Sequence, residues 1–156
     1  MRRRYESLIA EAESLGTRVY EFPMESGAKG LLKNNRIGIN SAISSLIERT
    51  CILAEEVGHV CKTVGDILDQ TILANRKQEL RSRAWAYRRL ISLDDLIRAS
   101  IAGVRNQYEL AQFLDVTEPF LVAALERLRD HHGVAVYHND YLIQLDPLIV
   151  FEPYST

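Results

Sequence analysis

Apolar side chains recur at helical spacing at Tyr5, Leu8, Ile9, Ala12 and Leu15, and Gly16 follows them, so the pattern predicts an amphipathic helix over residues 4–15 closed by a glycine. Val19-Tyr20-Glu21-Phe22 alternates instead and stops at Pro23, as a short strand does. Ala28 to Lys33 and Arg36 to Ile39 flank Asn34-Asn35, side chains that tolerate the positive φ of a tight turn, which predicts a β-hairpin. Together these strands give a small antiparallel sheet. Ile43, Leu46, Ile47, Leu53, Val57 and Val60 then form one continuous apolar face, the longest helical signal, with Ser41 as its N-cap and Gly65 as its stop.

Beyond it, residues 75–90 predict a helix that is basic on its surface, with Ala84, Trp85, Ala86 and Leu90 for packing. Residues 94–102 predict another, capped by Ser92 and closed by Gly103. Asn106 to Leu114, a break at Asp115-Val116, and Thr117 to Arg129 read as a helix-turn-helix, with Thr117 as N-cap and Pro119 in the first turn. Val134 to His138 and Tyr141 to Leu145 flank Asn139-Asp140 as a C-terminal β-hairpin, and an apolar tail, Pro147 to Phe151, comes after it. The fold class expected is α+β and mainly helical. Residues 1–103 form the core and residues 104–156 the helix-turn-helix-like region with its hairpin, packed with the core as one unit.

With 156 residues the chain can bury roughly 70% of its unfolded surface and needs no disulfide to hold it. Its 47% hydrophobic and 26% charged content is that of an ordinary globular protein. A formal net charge of −2 supplies no global field toward nucleic acid or an anionic membrane. The cations of Arg2-Arg3-Arg4 resemble a signal-peptide start, but Glu6, Glu11 and Glu13 interrupt the next stretch and no apolar run forms, so a cytoplasmic protein is expected. Cys51 and Cys61 share one predicted helix, where they stand about 15 Å apart, too far for a disulfide, so both are expected as free thiols.

The chemistry concentrates in Glu55-Glu56-Val57-Gly58-His59. On a helix Glu55 and His59 lie one turn apart on nearly one side, and Glu56 is about 60° from His59, so all three share an arc. Two such side chains can bind a cation while a third holds a water against it, the logic of His-Glu-x-x-His zinc peptidases. A catalytic zinc uses three protein ligands and keeps its fourth position for water. Glu79, on the next helix, is the strongest candidate for the third ligand, with Asp66 and Asp69 in the intervening loop as weaker ones.

Leu53-Ala54-Glu55-Glu56-Val57-Gly58-His59, followed by Val64-Gly65-Asp66 and by Glu79 to Ala86, resembles the ImmA/IrrE metallopeptidase family. Arg36 to Asn40 before the motif and Tyr108 to Glu118 after it share the likeness, which covers most of the chain. The resemblance implies a gluzincin-like core in which His59 and Glu79 bind zinc, Glu56 is the general base and Glu55 stands in the first metal-binding His position. It also implies a partner, the helix-turn-helix repressor of a phage or mobile element, as the protein cleaved. Glu in place of His has physical consequences. Two carboxylates and one imidazole cancel a divalent charge, so the water is less acidified, and the oxygen-richer shell favours harder ions such as manganese. A weaker hydrolase is the expected result.

Peptide hydrolysis would use Arg36 to Asn40 as the edge on which substrate extends; no oxyanion stabiliser is assigned, since Tyr87 and His138 could donate a hydrogen bond but are each expected to be structural. Two other classes compete: a non-catalytic antirepressor that binds its target and keeps a residual motif, and a winged helix-turn-helix transcriptional regulator. Charge argues against the regulator. Residues 104–132 carry Arg105, Arg127 and Arg129 against Glu109, Asp115, Glu118, Glu126 and Asp130, and a helix presented to phosphates should be basic, so direct DNA binding is not expected. Phe120 to Ala124 suit a core better than base edges. The basic run lies instead between residues 75 and 98, where seven cations face three carboxylates, as on a solvated helix face, with docking of an acidic partner as the functional alternative. His131 and His132 end a helix, where cations meet the dipole.

Overall fold

The computed structural model describes residues 2–63 and 72–153, so Gly65, Asp66 and Asp69 lie outside the described residues. Two compact units, Met1–Ala86 and Tyr87–Thr156, make up the chain. The first holds α1 (Arg2–Ser14), β1 (Arg18–Phe22), β2 (Gly30–Lys33), β3 (Arg36–Asn40), α2 (Leu46–Thr63) and most of α3 (Ile72–Leu90). The second holds α4 (Leu93–Ile101), α5 (Gln107–Leu114), α6 (Glu118–His132), β4 (Ala135–His138), β5 (Tyr141–Leu145) and β6 (Leu148–Phe151). The fold is α+β and mainly helical. Among the described residues no helix is long and apolar enough to cross a membrane.

In the first unit α1 buries Tyr5, Leu8 and Ala12 against α2. It ends at Gly16, φ +79°, where Gly16 N–H donates to the Glu13 carbonyl and Thr17 N–H to that of Ala12, each at 3.0 Å, the double bond pattern of a Schellman close. The strands run in the order β1-β3-β2. The β2–β3 hairpin is antiparallel and turns on Asn34 and Asn35, both at positive φ, as their side chains predict. β1 instead pairs in parallel with β3, so the sheet is mixed rather than wholly antiparallel. Residues 23–29 carry the chain past the place β3 later fills, and the hairpin inserts β3 between the two earlier strands.

Ile37 and Ile39 of the central strand are fully buried on the face that α2 covers with Leu53 and Val57. α2 begins at Leu46, not after Ser41: Ser45 Oγ accepts from Glu48 N–H at 3.2 Å and caps the helix. Buried Asn40 is the reason. Its Oδ1 accepts from Ala42 N–H at 3.0 Å and from Met24 N–H at 3.3 Å, and its Nδ2 donates to the Ala28 carbonyl at 2.9 Å, which commits the segment after β3 to a turn.

In the second unit local signals and structure agree closely. Ser92 and Asp95 form a reciprocal capping box on α4, Asn106 caps α5, and Thr117 caps α6. Asp115, φ 53°, makes the turn between α5 and α6. α6 runs on to His132, three residues past Arg129, until Gly133 at φ +85° stops it. Phe120, Leu121 and Ala124 point into the core, and the Tyr87 ring meets Phe120 edge-on at 5.1 Å between centroids. α4, which the sequence pattern attaches to the core, packs on α5 and β6. The apolar tail becomes a third strand, β6, antiparallel to β5.

Candidate active site

α2 buries Cys51, Leu53, Ala54, Val57 and Val60, which leaves Glu55, Glu56 and His59 half-buried along the margin of its apolar face. Gly58 lies between them because the next helix crosses there. A Cβ on Gly58 would stand 2.3 Å from the Ser82 carbonyl oxygen, so only a glycine lets the α3 backbone come this close. Ser82 is itself buried, and its hydroxyl donates back to the Gln78 carbonyl at 2.9 Å. Glu79 lies one turn before Ser82, and the close crossing brings its Oε2 to 3.1 Å from His59 Nε2. Arg83 Nε holds the other carboxylate oxygen at 3.0 Å, one turn further along α3.

A second glycine admits the sheet. A Cβ at Gly30 would meet Ile52 Cγ2 at 2.7 Å and Glu56 Oε1 at 2.8 Å, so the start of β2 can lie over Glu56 only without a side chain. The result is a cleft of about 440 Å³ lined by Gly30, Leu31 and Leu32 of β2, Glu56 and His59 of α2, and Gln78 and Glu79 of α3. The His59 and Glu79 side chains keep 25% and 41% of their surface exposed, so solutes reach both.

Burial is the main electrostatic force here. It pushes the Glu56 carboxyl up to about 7, with the charges of Glu55 and Glu79 adding to the rise. Burial raises Glu55 as well; Arg83 and Lys29 oppose that rise and Glu79 supports it. Without a cation in the cleft, Glu56 is therefore protonated far more readily than an exposed carboxyl.

The donors can be tested against a divalent cation. Metal–nitrogen and metal–oxygen bonds of about 2.0–2.2 Å at a tetrahedral angle put neighbouring ligand atoms about 3.3–3.6 Å apart. The 3.1 Å between His59 Nε2 and Glu79 Oε2 is close to that edge, so this pair fits one cation. Glu55 does not line the cleft. Among the described residues no three His, Cys, Asp or Glu side chains meet as a metal-holding group. The fit is thus one of two protein donors with Glu56 beside them.

Of the residues singled out in the sequence, the structure brings Glu56, His59 and Glu79 into one cleft and leaves Glu55 beside it. Tyr87 and His138 belong to the second unit, where Tyr87 packs on Phe120 and His138 Nε2 lies 3.0 Å from Asp94 Oδ1. Trp85 is half-buried, and Gly58 and Ser82 meet where α2 and α3 cross. Arg36 to Asn40 is the central strand, paired on both sides, so it has no free edge. The strand over the cleft is β2, at the end of the sheet. Gly30 and Gln78 line the cleft without any motif to mark them, and Arg83 reaches it only through Glu79; Gly58, inside the pentapeptide, carries a visible signal. Cys51 and Cys61 are free, as their spacing requires, and burial with the nearby Glu11 raises the Cys61 thiol. A cavity of about 470 Å³ in the second unit is lined by no imidazole or thiol and is not the candidate site.

Neither the curated proteins nor the solved structures gave a match to this chain. The model of the M78 peptidase family, described as IrrE N-terminal-like domain, matches residues 12–126, a span that contains the cleft and every residue lining it. The chain belongs to the M78 (IrrE N-terminal-like) family of metallopeptidases.

Proposed function

We propose that this protein is a metal-dependent endopeptidase whose substrate is the helix-turn-helix repressor of a phage or mobile element, with Glu56 as the catalytic base. The observation that carries the reading is the convergence of Glu56, His59 and Glu79 in one cleft beneath an edge strand. His59 and Glu79 would hold the cation, zinc or a harder ion such as manganese, which supplies Lewis-acid polarisation and lowers the pKa of water when bound. The remaining work falls to the chain. β2 offers its outer edge to an extended substrate segment, and Gly30 keeps that strand close to Glu56. Glu56 takes a proton from the attacking water; oxygen bonds to the carbonyl carbon, the C–N bond breaks, and the proton passes to the departing amine. Arg83 orients Glu79 from the far side.

The test combines elemental analysis with incubation of wild type and Glu56→Gln with the repressor encoded nearby. Bound metal, cleavage by wild type and an intact repressor with Glu56→Gln are expected, since a general base contributes about 10²–10⁴-fold. One observation favours a second reading, a non-catalytic antirepressor: Glu79 is shared between His59 and Arg83, and Glu55 stays out of the cleft. Metal-free protein that binds the repressor without cutting it would decide for that reading.

A further inference from the structure

The first unit's sheet has a second face, away from α2. Paired residues point to the same side, so Arg18, Tyr20 and Phe22 of β1, Arg36 and Gly38 of β3, and Leu31 and Lys33 of β2 share it. Gly38 is flanked in register by Tyr20 and Leu31, and a Cβ there would meet Phe22 Cε1 at 2.7 Å. The missing side chain makes room for the edge of Phe22 and for Met24 Cε, which close over Gly38 beside a hollow of about 450 Å³ between the outer strands. Tyr20 and Phe22 each keep 43% of their surface exposed, and Leu31 keeps 50%. Two aromatic rings on one open sheet face are costly to leave in water without a partner.

Charge says what the partner is. Arg18, Arg36 and Lys33 form a single row across the three strands, spanning about 10 Å at one end of the hollow. Among the described residues none of the three has a salt bridge. The acid that lines the hollow, Glu21, has the opposite pleat parity and is engaged by Tyr5 at 2.6 Å and Arg49 at 3.4 Å. We propose that this face binds single-stranded nucleic acid, with unstacked bases on Tyr20 and Phe22 and phosphates on Arg18, Arg36 and Lys33.

Three points favour a strand over other anions. Rings two residues apart on one strand can each take a successive base, and every base has a planar face to offer. A duplex keeps its bases stacked and cannot use them. A purely acidic peptide would satisfy the cations but leave the rings without a matching surface. The net charge of −2 means that attraction is local, and neutralising two or three phosphates gives a modest salt slope, about −1.4 to −2.1 in log K against log salt. This surface is distinct from the helix-turn-helix, whose acidic balance argues against duplex DNA.

The test is fluorescence anisotropy of a labelled oligothymidylate with the full chain, from about 50 to about 200 mM salt. Wild type should bind the single strand at least about tenfold more tightly than a duplex of equal length. Tyr20→Ala should weaken binding about 5- to 100-fold with the salt slope unchanged. Arg36→Glu with Lys33→Glu should weaken binding and flatten the slope by about 1.4. Both sets lie on the surface, and circular dichroism melts confirm that each variant folds. Equal affinity for duplex, equal affinity for a poly-glutamate competitor, no loss with Tyr20→Ala, or no binding at all overturns the proposal. Loss of repressor cleavage has no bearing on this readout, so the two functional readings fail separately.

Discussion

In the second unit the polar groups at the helix starts all find close partners. Ser92 and Asp95 exchange bonds of 3.1 and 2.8 Å, Asn106 accepts from Glu109 N–H, and Thr117 accepts from Phe120 N–H. In the first unit α2 carries two adjacent carboxyls, Glu55 and Glu56, whose pKa values both rise because the fold desolvates them. Two of its glycines are present so that backbone can crowd onto α2, at Gly30 and at Gly58. Both units follow the local rules of capping and turns; the first also desolvates carboxyls and crowds backbone around a cleft. Departures of this kind mark functional sites, where stability is exchanged for geometry. The contrast can be attacked from both sides.

The largest effect should come from Gly58→Ala. The new Cβ would press on the Ser82 carbonyl, a backbone atom that cannot rotate away, so α3 must shift and carry Glu79 with it. Overpacking of this sort costs about 1–3 kcal/mol. A displacement near 1 Å at a reacting site costs about 100-fold in rate. Thermal melts and cleavage assays should therefore show a large loss of activity beside a moderate loss of stability. Equal activity in Gly58→Ala would mean that the close crossing is not what sets the His59–Glu79 distance.

The next effect concerns pH. Glu56 has a folded pKa raised to about 7 from an ordinary 4.5, so folding favours its protonated form. Its contribution is neutral below about pH 4.5, becomes unfavourable as pH rises, and reaches its full size above about pH 7. Glu56→Gln removes that penalty. In metal-free protein the variant should be more stable than wild type by about 1–3 kcal/mol at pH 8 and equal to it at pH 4, by denaturant titration. A variant less stable than wild type at pH 8 would show that the charged carboxylate is well accommodated.

Legibility in the sequence divides between local turn and cap signals, present in both units, and contacts between elements. Asn34-Asn35 and Asn139-Asp140 announce their turns because positive φ is a property of the residues themselves, and all four adopt it. Ser92, Thr117 and Gly16 announce helix ends for the same local reason. The order β1-β3-β2 is not legible, since nothing in a strand states which neighbour it will take. Ser41 and Ser45 are equally good caps in isolation; the side chain of Asn40, fixed by three partners, decides between them. The cleft is half legible. Glu56 and His59 follow from helical spacing, but the approach of Glu79 depends on Gly58 meeting Ser82, a contact between helices that no spacing rule contains. Helical spacing also places Glu55 on the arc of His59, yet the cleft opens on the Glu56 side because Gly30 brings β2 there.

Changes in the second unit should be smaller and set by local forces. Ser92→Ala removes the acceptor for Asp95 N–H and leaves the Asp95 carboxylate bonded to only half of its box. The loss should be about 1 kcal/mol, or about 2–4 °C in melting temperature for a chain of this size, with cleavage unaffected. A loss above about 3 kcal/mol would show that Asp95, which is buried, depends on Ser92 for more than a cap.

The smallest effect is expected from Arg129, whose Nη1 meets Asp146 Oδ2 at 2.6 Å with both side chains substantially exposed, 41% and 63%. Coulomb attraction at such a site is screened by water, and holding two mobile side chains together opposes it. Asp146→Asn should therefore cost under about 1 kcal/mol, and the cost should shrink further as salt rises. The same salt series applied to Glu56→Gln should leave its stabilisation at pH 8 largely intact, because desolvation and not surface attraction causes that shift. If salt erased both effects alike, the burial of Glu56 would not be what separates the first unit from the second.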